Sequence, residues 1–257
     1  MELLVEGVSH RYGNLQALEG IELAVREGET LALLGPSGCG KSTLLGIMGG
    51  LLAPSAGRVR VRGAAPPGSL NHFTYVFQDF ALLPWRTVAG NVALALEHHP
   101  LGAAERARRI EEALRLTGLE EFARAYPKQL SGGMRQRVGI ARATAVRPAV
   151  LFLDEPLSSL DAQTRELLME DLVKIWGRER TTSVYVTHNL FEALRMADRI
   201  AVLSRRPGRV KEIVAVDIPL AERGAPEHAA TITALHNRIW ELIRDEVQVA
   251  DREVHDG

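Results

Sequence analysis

A mostly parallel α/β core with a helical insertion is the fold this sequence predicts. Three observations predict it. Apolar strand-like runs alternate with helix-like segments, a glycine-rich loop joins one such run to a helix, and between about residues 87 and 147 the alternation gives way to helix alone. The 257 residues suffice for one large domain, or a domain with a subdomain, and for a substantial core.

The elements follow in order. LLVEGVSHRY and ALEGIELAV are β-like with turn residues between them, and ETLALLG is a short apolar run ending in glycine. That run feeds GPSGCGKSTLLGIMGGL, a loop entering a helix. GRVRVRG alternates as a strand does, and FTYVF is a strand expected to end at Gln78. AAERARRIEEALRLTG reads as a helix, with Ile110, Leu114 and Leu116 among charges and a closing glycine. SGGMRQRVGIARATAV is a second helix, stopped by Pro148. AVLFLDEP is an apolar strand of the kind buried in parallel sheets, ending in two acids. DAQTRELLMEDLVKIWG is a helix with Asp161 as its N-cap. TTSVYVTH, NLFEALRMA and RIAVLS continue as strand, helix and strand. Ile232, Leu235, Ile239, Leu242 and Ile243 recur at helical spacing, which predicts an amphipathic helix packed on the body. The closing DREVHDG is expected to fray.

The bulk numbers narrow the function. Hydrophobic residues make up 46% and charged residues 25%, ordinary for a soluble globular protein. A net charge of −1 gives no global basic field for nucleic acid. No apolar run is long enough to span a bilayer, and MELLVEGVSH lacks the positive start and cleavage site of a signal peptide. Cys39 is the single cysteine, which excludes an internal disulfide and fits a reducing compartment. A cytosolic protein is expected, brought to any membrane by a partner.

The chemistry sits in four places. GPSGCGKS fits the phosphate-loop pattern G-x-x-x-x-G-K-[ST] and lies where its mechanism needs it, after an apolar strand and at the start of a helix. Gly35, Gly38 and Gly40 let backbone wrap the phosphates, with Pro36, Ser37 and Cys39 completing the loop. Lys41 is placed to neutralise β- and γ-phosphate charge, and Ser42 to put its hydroxyl on Mg²⁺, with Thr43 beside it. In LFLDE, Asp154 ends a buried strand and suits Mg²⁺, while Glu155 lies one residue on, placed to polarise an attacking water. Gln78 and His188 also end strands, so all four are expected at one carboxyl edge of the sheet, facing the phosphates held by Lys41. Finally, LSGGMRQRVG opens a helix with Ser131, Gly132 and Gly133, a second seat for an anion.

Taken in order, the phosphate loop, Gln78, LSGGMRQR, LFLDEP, SSLD and His188 resemble the ATP-binding subunit of an ABC transporter over residues 1 to about 215. The resemblance implies a P-loop NTPase (RecA-like) core with an antiparallel β subdomain and an inserted α-helical subdomain. The expected organisation is an ATP-binding core over 1–86 and 148–216, a helical signature subdomain over 87–147, and a C-terminal helix and tail over 217–257. It further implies ATP and Mg²⁺ as cofactors, Tyr12 stacked on adenine, Gln78 sensing Mg²⁺ and the partner, Glu155 as catalytic base, His188 touching the γ-phosphate and Asp161 in a loop that communicates across a dimer. In such families two copies pair head to tail, so Ser131, Gly132 and Gly133 would contact ATP held by the other copy's Lys41. The other implied partners are transmembrane permease subunits and, through them, a substrate-binding protein. The place is the cytoplasmic face of the inner or plasma membrane.

FQDFALLPWRTVAGNV, DAQTRELLMEDLVKIW and LSRRPGRV are similar to the nitrate/sulfonate/taurine importer group. Trp85 reads equally as a core or subdomain-interface aromatic, and Arg205, Arg206 and Arg209 as solvated charge on a turn. Asn189 stands where the family usually has aspartate, and LSSLD replaces the group's FGALD. The regulatory domain of some sugar-importer ATPases is not expected here. Three rival readings are a soluble ABC ATPase of repair or translation, an exporter ATPase, and a small-molecule P-loop kinase. The first usually carries coiled coils or two ATPase domains, and the last leaves LSGGMRQR unexplained.

Overall fold

Alternation of apolar and polar residues sets the first layer of the computed structural model, which describes residues 1–158, 160–179 and 181–255. Strands β1 (Glu2–Tyr12), β2 (Leu15–Val25) and β3 (Thr30–Leu34) lead into helix α1 (Lys41–Met48). Strands β4 (Ala56–Arg62) and β5 (Phe73–Val76) precede helices α2 (Val88–Leu94), α3 (Ala103–Leu116) and α4 (Gly132–Ala145). Then come β6 (Val150–Asp154), α5 (Ala162–Glu179), β7 (Thr182–Thr187), α6 (Leu190–Met196), β8 (Arg199–Leu203), β9 (Val210–Ala215) and α7 (Ala229–His255). Contacts divide the chain into two units, Met1–Ala64 with Arg180–Gly257, and Ala65–Glu179.

In the first unit, β1 lies between β2 and β4 in an antiparallel sheet. Leu3, Val5, Val8 and His10 face inward although Val5 and Val8 are three apart. A register irregularity between them, at Gly7 with φ +59°, keeps both on one face. Strand β3 lies between parallel neighbours β7 and β8 and is buried along its whole length, Ala32 and Leu34 packing with Leu190, Ala193 and Leu194 of α6. Strand β9 adds antiparallel to β8. It was not expected from the sequence, since its burial follows no clean alternation. Ile239 and Ile243 of α7 are buried in a core with Leu34, Leu194, Val202 and Val214, and Ile232, Leu235 and Leu242 pack at its margin. The amphipathic pattern thus buries the face it predicts. Helix α7 also runs through Asp251–His255, part of the stretch expected to fray, while Asp256 and Gly257 lie outside the described residues.

In the second unit β5 and β6 pair in parallel. Helices α2, α3 and α4 enclose Val88, Val92, Leu96, Leu114, Leu130 and Val138. Arg109, though charged, is buried, because Glu105 Oε1 (2.8 Å), the Gly68 carbonyl (2.8 Å) and the Ala145 carbonyl (3.2 Å) take its donors. Helix α4 stops at Ala145, and Arg147 follows with φ +46°, the left-handed turn that often ends a helix before a proline. Two strand ends differ from the sequence expectation. Strand β5 stops at Val76, two residues before Gln78, because its partner leaves the ladder after Asp154 and Glu155 takes φ +45°. Strand β7 stops at Thr187, so His188 lies in the turn beyond. Trp85 is 71% exposed and is not a core residue.

Candidate functional site

The first unit carries the phosphate loop. Strand β3 delivers the chain to Gly35, and α1 begins at Lys41 after Gly40, whose φ of +101° is open only to glycine. Gly38, at φ +74°, has nothing within 4 Å of where a Cβ would stand, so the loop's outer face is unobstructed backbone. Lys41 is buried, and its ammonium donates to the carbonyls of Gly35 (2.8 Å) and Pro36 (2.9 Å). An ammonium has three N–H groups, so one proton of Lys41 stays available to a phosphate oxygen. The Tyr12 hydroxyl meets Thr43 Oγ1 at 3.3 Å, which puts that half-exposed ring at the rim of the loop, edge-on to His10. The parallel register Leu34↔Thr187 places His188, one residue further, at the edge where Gly35 begins. A buried set supports that turn: Thr187 Oγ1 donates to Glu192 Oε2 (2.8 Å) and accepts from the Asn189 amide (2.9 Å). Asn189 caps α6, its Oδ1 accepting from the amides of Phe191 (2.9 Å) and Glu192 (3.3 Å). Asparagine caps as well as aspartate, so the departure from the family's usual residue leaves the turn intact.

The second unit carries the acids. The register Val76↔Leu153 brings Gln78 and the Asp154–Glu155 pair to the same end of β5 and β6. Gln78 is exposed, and Asp154 and Glu155 are half-buried. Glu155 holds a left-handed backbone that a non-glycine residue rarely adopts, φ +45°, and the Ser158 amide (3.2 Å) and hydroxyl (3.0 Å) both donate to its carbonyl. That turn directs Glu155 away from the line of the strand.

Ser131 is the N-cap of α4, its Oγ accepting from the Met134 amide at 3.2 Å. Asp161 caps α5 in the same way, accepting from the Thr164 amide at 3.0 Å, and that amide holds its carboxyl below the usual range. The two caps are neighbours. A Cβ on Gly133 would stand 2.7 Å from Thr164 Cγ2, and one on Gly132 would be 3.6 Å from Leu160 Cδ2. Of the sequence segment SSLD, Ser159 lies outside the described residues.

The structure therefore collects Tyr12, residues 35–43 and His188 in one unit. In the other it sets Gln78 with Asp154 and Glu155, and Ser131–Gly133 with Asp161. Among the described residues no group of three or more His, Cys, Asp or Glu forms a metal cluster. The Ser42 hydroxyl in one unit, and the Gln78 amide oxygen and Asp154 carboxylate in the other, are nonetheless hard oxygen donors of the kind Mg²⁺ takes. Sequence reasoning missed Thr187 and Glu192, which brace the His188 turn. The only signal for them was an acid four residues after a strand-end histidine.

A family model described as ABC transporter matches residues 18–158. The chain is 43% identical over 224 residues to a bicarbonate transport ATP-binding protein of Synechococcus elongatus, covering 84% of this chain and 81% of that one. It is 44% identical over 210 residues to a nitrate import ATP-binding protein of the same species, covering 80% of this chain and 32% of the relative. Among solved structures, it is similar to a dimeric post-hydrolysis ATP-binding cassette bound to ADP and Pi, with a TM-score of 0.70 and 33% identity, over 84% of this chain and 99% of that one.

Proposed function

The chain belongs to the ABC transporter family of ATP-binding proteins, and from that premise we propose that it powers uptake of a small anion through a separate membrane permease. It is an ATPase that binds ATP with Mg²⁺. Among the described residues no helix is long and apolar enough to cross a membrane, so the transport path belongs to another chain in this reading.

The catalytic roles are assigned as follows. Residues 35–43 seat the phosphates and Lys41 offsets their charge, with Tyr12 against the base. Ser42, Gln78 and Asp154 would hold Mg²⁺, which supplies charge neutralisation at the β- and γ-oxygens. Glu155 orients a water and takes its proton, and His188 contacts the γ-phosphate. Two copies pair head to tail, each giving Ser131, Gly132 and Gly133 to the other's ATP, with Asp161 beside that cradle. Binding of ATP then favours the closed pair and hydrolysis reopens it. The dimeric cassette with ADP and Pi supports the pairing, and the bicarbonate and nitrate relatives support the anion. Exposed Phe77, Gln78 and Trp85 offer the permease a mixed apolar and polar surface at the cytoplasmic face of the membrane, with a substrate-binding protein engaging the permease from the other side.

The observation that carries the catalytic assignment is the left-handed turn at Glu155 directly after Asp154. Glu155→Gln keeps the shape and loses the base. It should retain ATP binding and lose nearly all turnover, and parent-like hydrolysis by the purified variant would remove Glu155 from that role. The transport assignment is tested by fractionation: membrane recovery that depends on a co-expressed permease supports it, and co-sedimentation with ribosomes or DNA overturns it.

A further inference from the structure

The segment LSRRPGRV has no part in the assignment above, yet it is built against the phosphate loop. It forms the turn between β8 and β9. The Ser204 amide donates to the Arg209 carbonyl (2.9 Å), and Ser204 Oγ accepts from the Arg209 amide (3.0 Å), which closes the turn. Its tip is stitched into β2: the Gly208 amide donates to the Ala17 carbonyl (2.9 Å), and the Gly208 carbonyl accepts from the Glu19 amide (3.0 Å). From that anchored position Gly208 abuts the phosphate loop. A Cβ at 208 would stand 2.2 Å from the Cys39 carbonyl oxygen, and a Cβ at Gly35 would stand 3.0 Å from the Leu203 carbonyl. Backbone meets backbone at both places, so neither partner can yield by turning a side chain.

The arginines of this turn are solvated as expected, and two of them also have acidic neighbours, Arg205 having Glu246 Oε2 at 3.9 Å. Arg209 meets Glu19 at 2.8 Å. On the far side, Glu246 of α7 accepts from the Arg205 amide (3.1 Å) and from Lys211 Nζ (3.0 Å), and Lys211 also donates to the Leu242 carbonyl (2.8 Å). The Glu246 side chain is 17% exposed, enough cover to make these bonds matter. Burial, opposed by Lys41, pushes the Cys39 thiol up.

We propose that the turn at residues 204–209 is a brace that holds the phosphate loop in its ATP-binding shape, and that Glu246 on α7 holds the brace, making the C-terminal helix a positioning element for nucleotide. The proposal rests on residues 35–43 being the ATP seat. Gly208 and Glu246 are positioning residues that act through the loop.

Cys39 supplies the readout. It is the chain's single cysteine and 1% exposed, so thiol modification reports this loop alone. In the full-length chain without nucleotide, Gly208→Ala should speed reaction of Cys39 with a disulfide reagent about tenfold, as local opening becomes easier. It should raise KM for ATP by a similar factor with kcat changed less than about twofold, the split that a lost binding geometry produces. Glu246→Gln should shift both quantities the same way by about threefold. Parental thiol reactivity in a folded Gly208→Ala chain overturns the brace, and so does faster modification with a parental KM. Parental values in Glu246→Gln overturn the role of α7. Should Gly208→Ala fail to fold, Ser204→Ala, which removes the hydroxyl that closes the turn onto the Arg209 amide, carries the same test. The seat itself is checked separately: saturating ATP should slow Cys39 modification in the parent, and failure there removes the ATP seat while leaving the nucleotide-free comparison able to test the brace.

Discussion

Replacing Arg142 by methionine asks how firmly the segment after Gln78 is tied to the helix that begins at Ser131. Arg142 lies on α4 and donates to the carbonyls of Phe80 (2.5 Å) and Ala81 (3.0 Å). Ala81 holds φ +45°, an uncomfortable backbone for alanine, so the segment needs outside support there. The Phe80 ring lies over Gly139, where a Cβ would stand 3.2 Å away. Partial burial pushes the Arg142 pKa down, and the two carbonyls stand in for the water its guanidinium gives up. Methionine keeps the stem and deletes both bonds. A hydrogen bond to a charged group contributes about 1.5–3 kcal/mol, and with solvent reaching one of the two carbonyls the pair is worth about 2 kcal/mol. That is roughly 30-fold in a local opening equilibrium. Amide hydrogen exchange over residues 79–83 should accelerate by that factor, and Tm should fall by about 4–8 °C. The Leu83 amide, which donates to Asn91 Oδ1 at 2.8 Å, is a convenient probe. Acceleration below about threefold would refute the view that Arg142 is the tie.

Three further outcomes are expected. Ser131→Arg should leave ATP binding by the isolated monomer intact while stopping pairing and hydrolysis, whereas Lys41→Ala should abolish monomer binding; nucleotide titration beside sedimentation separates the two, and a common loss of monomer binding would return Ser131 to its own chain's site. Gly133→Ala should lower ligand-free stability by about 1–3 kcal/mol through overpacking against Thr164, and Thr164→Ser, which removes Cγ2, should restore most of it in a double-mutant cycle. The Asp161 carboxyl is depressed by the Thr164 amide, so its cap is fully present above the unfolded value of about 3.9 and is lost as pH falls through the lower folded value. Melts at descending pH should therefore show an acid destabilisation that Asp161→Asn flattens; an unchanged acid limb removes the cap from the account.

What was legible in the sequence was what local pattern controls. Residues 31–34 are apolar throughout because a central parallel strand is covered on its faces, as Ala32 and Leu34 are by Leu190, Ala193 and Leu194 of α6. The cap at Asp161 and the amphipathic face of α7 follow from single positions and from period. What was illegible depends on contacts between distant residues. Strand β9 is held at the sheet edge by β8, with no alternation of its own to announce it. Fully buried Asn91 reads as an ordinary helix residue until its Nδ2 is seen donating to the carbonyls of Leu83 (3.1 Å), Arg86 (3.1 Å) and Thr87 (3.0 Å). Gly208 reads as turn punctuation, and only the nearness of the Cys39 carbonyl makes it a fitted surface. At the site, residue types and their order were readable; the left-handed backbone at Glu155 was not, because nothing in a glutamate codes for it.

The glycines after Ser131 divide their labour, and the division bears on the proposal that two cradles share one ATP. Gly133 is buried, and its missing side chain lets Thr164 approach. It therefore acts on packing, drawing the start of α5 and Asp161 up to the start of α4. Gly132 is half-buried with Leu160 at an ordinary 3.6 Å, so its bareness answers no internal crowding. Ser131 Oγ already accepts from Met134, and the helix's first amides have no intrahelical partner. What this cradle offers an anion is thus a few backbone donors and a hydroxyl, with the Arg135 guanidinium, 4.0 Å from where a Gly132 Cβ would stand and tied to the Leu130 carbonyl, as its nearby charge. The phosphate loop has the complementary composition: Lys41 buried and aimed, and an outer face at Gly38 open to approach. Backbone donors at a helix start discriminate shape, and an ammonium supplies charge. A triphosphate seated on Lys41 and closed over by a second copy's Ser131 and Gly132 would have both, which is why hydrolysis, rather than binding, is the step expected to require the pair.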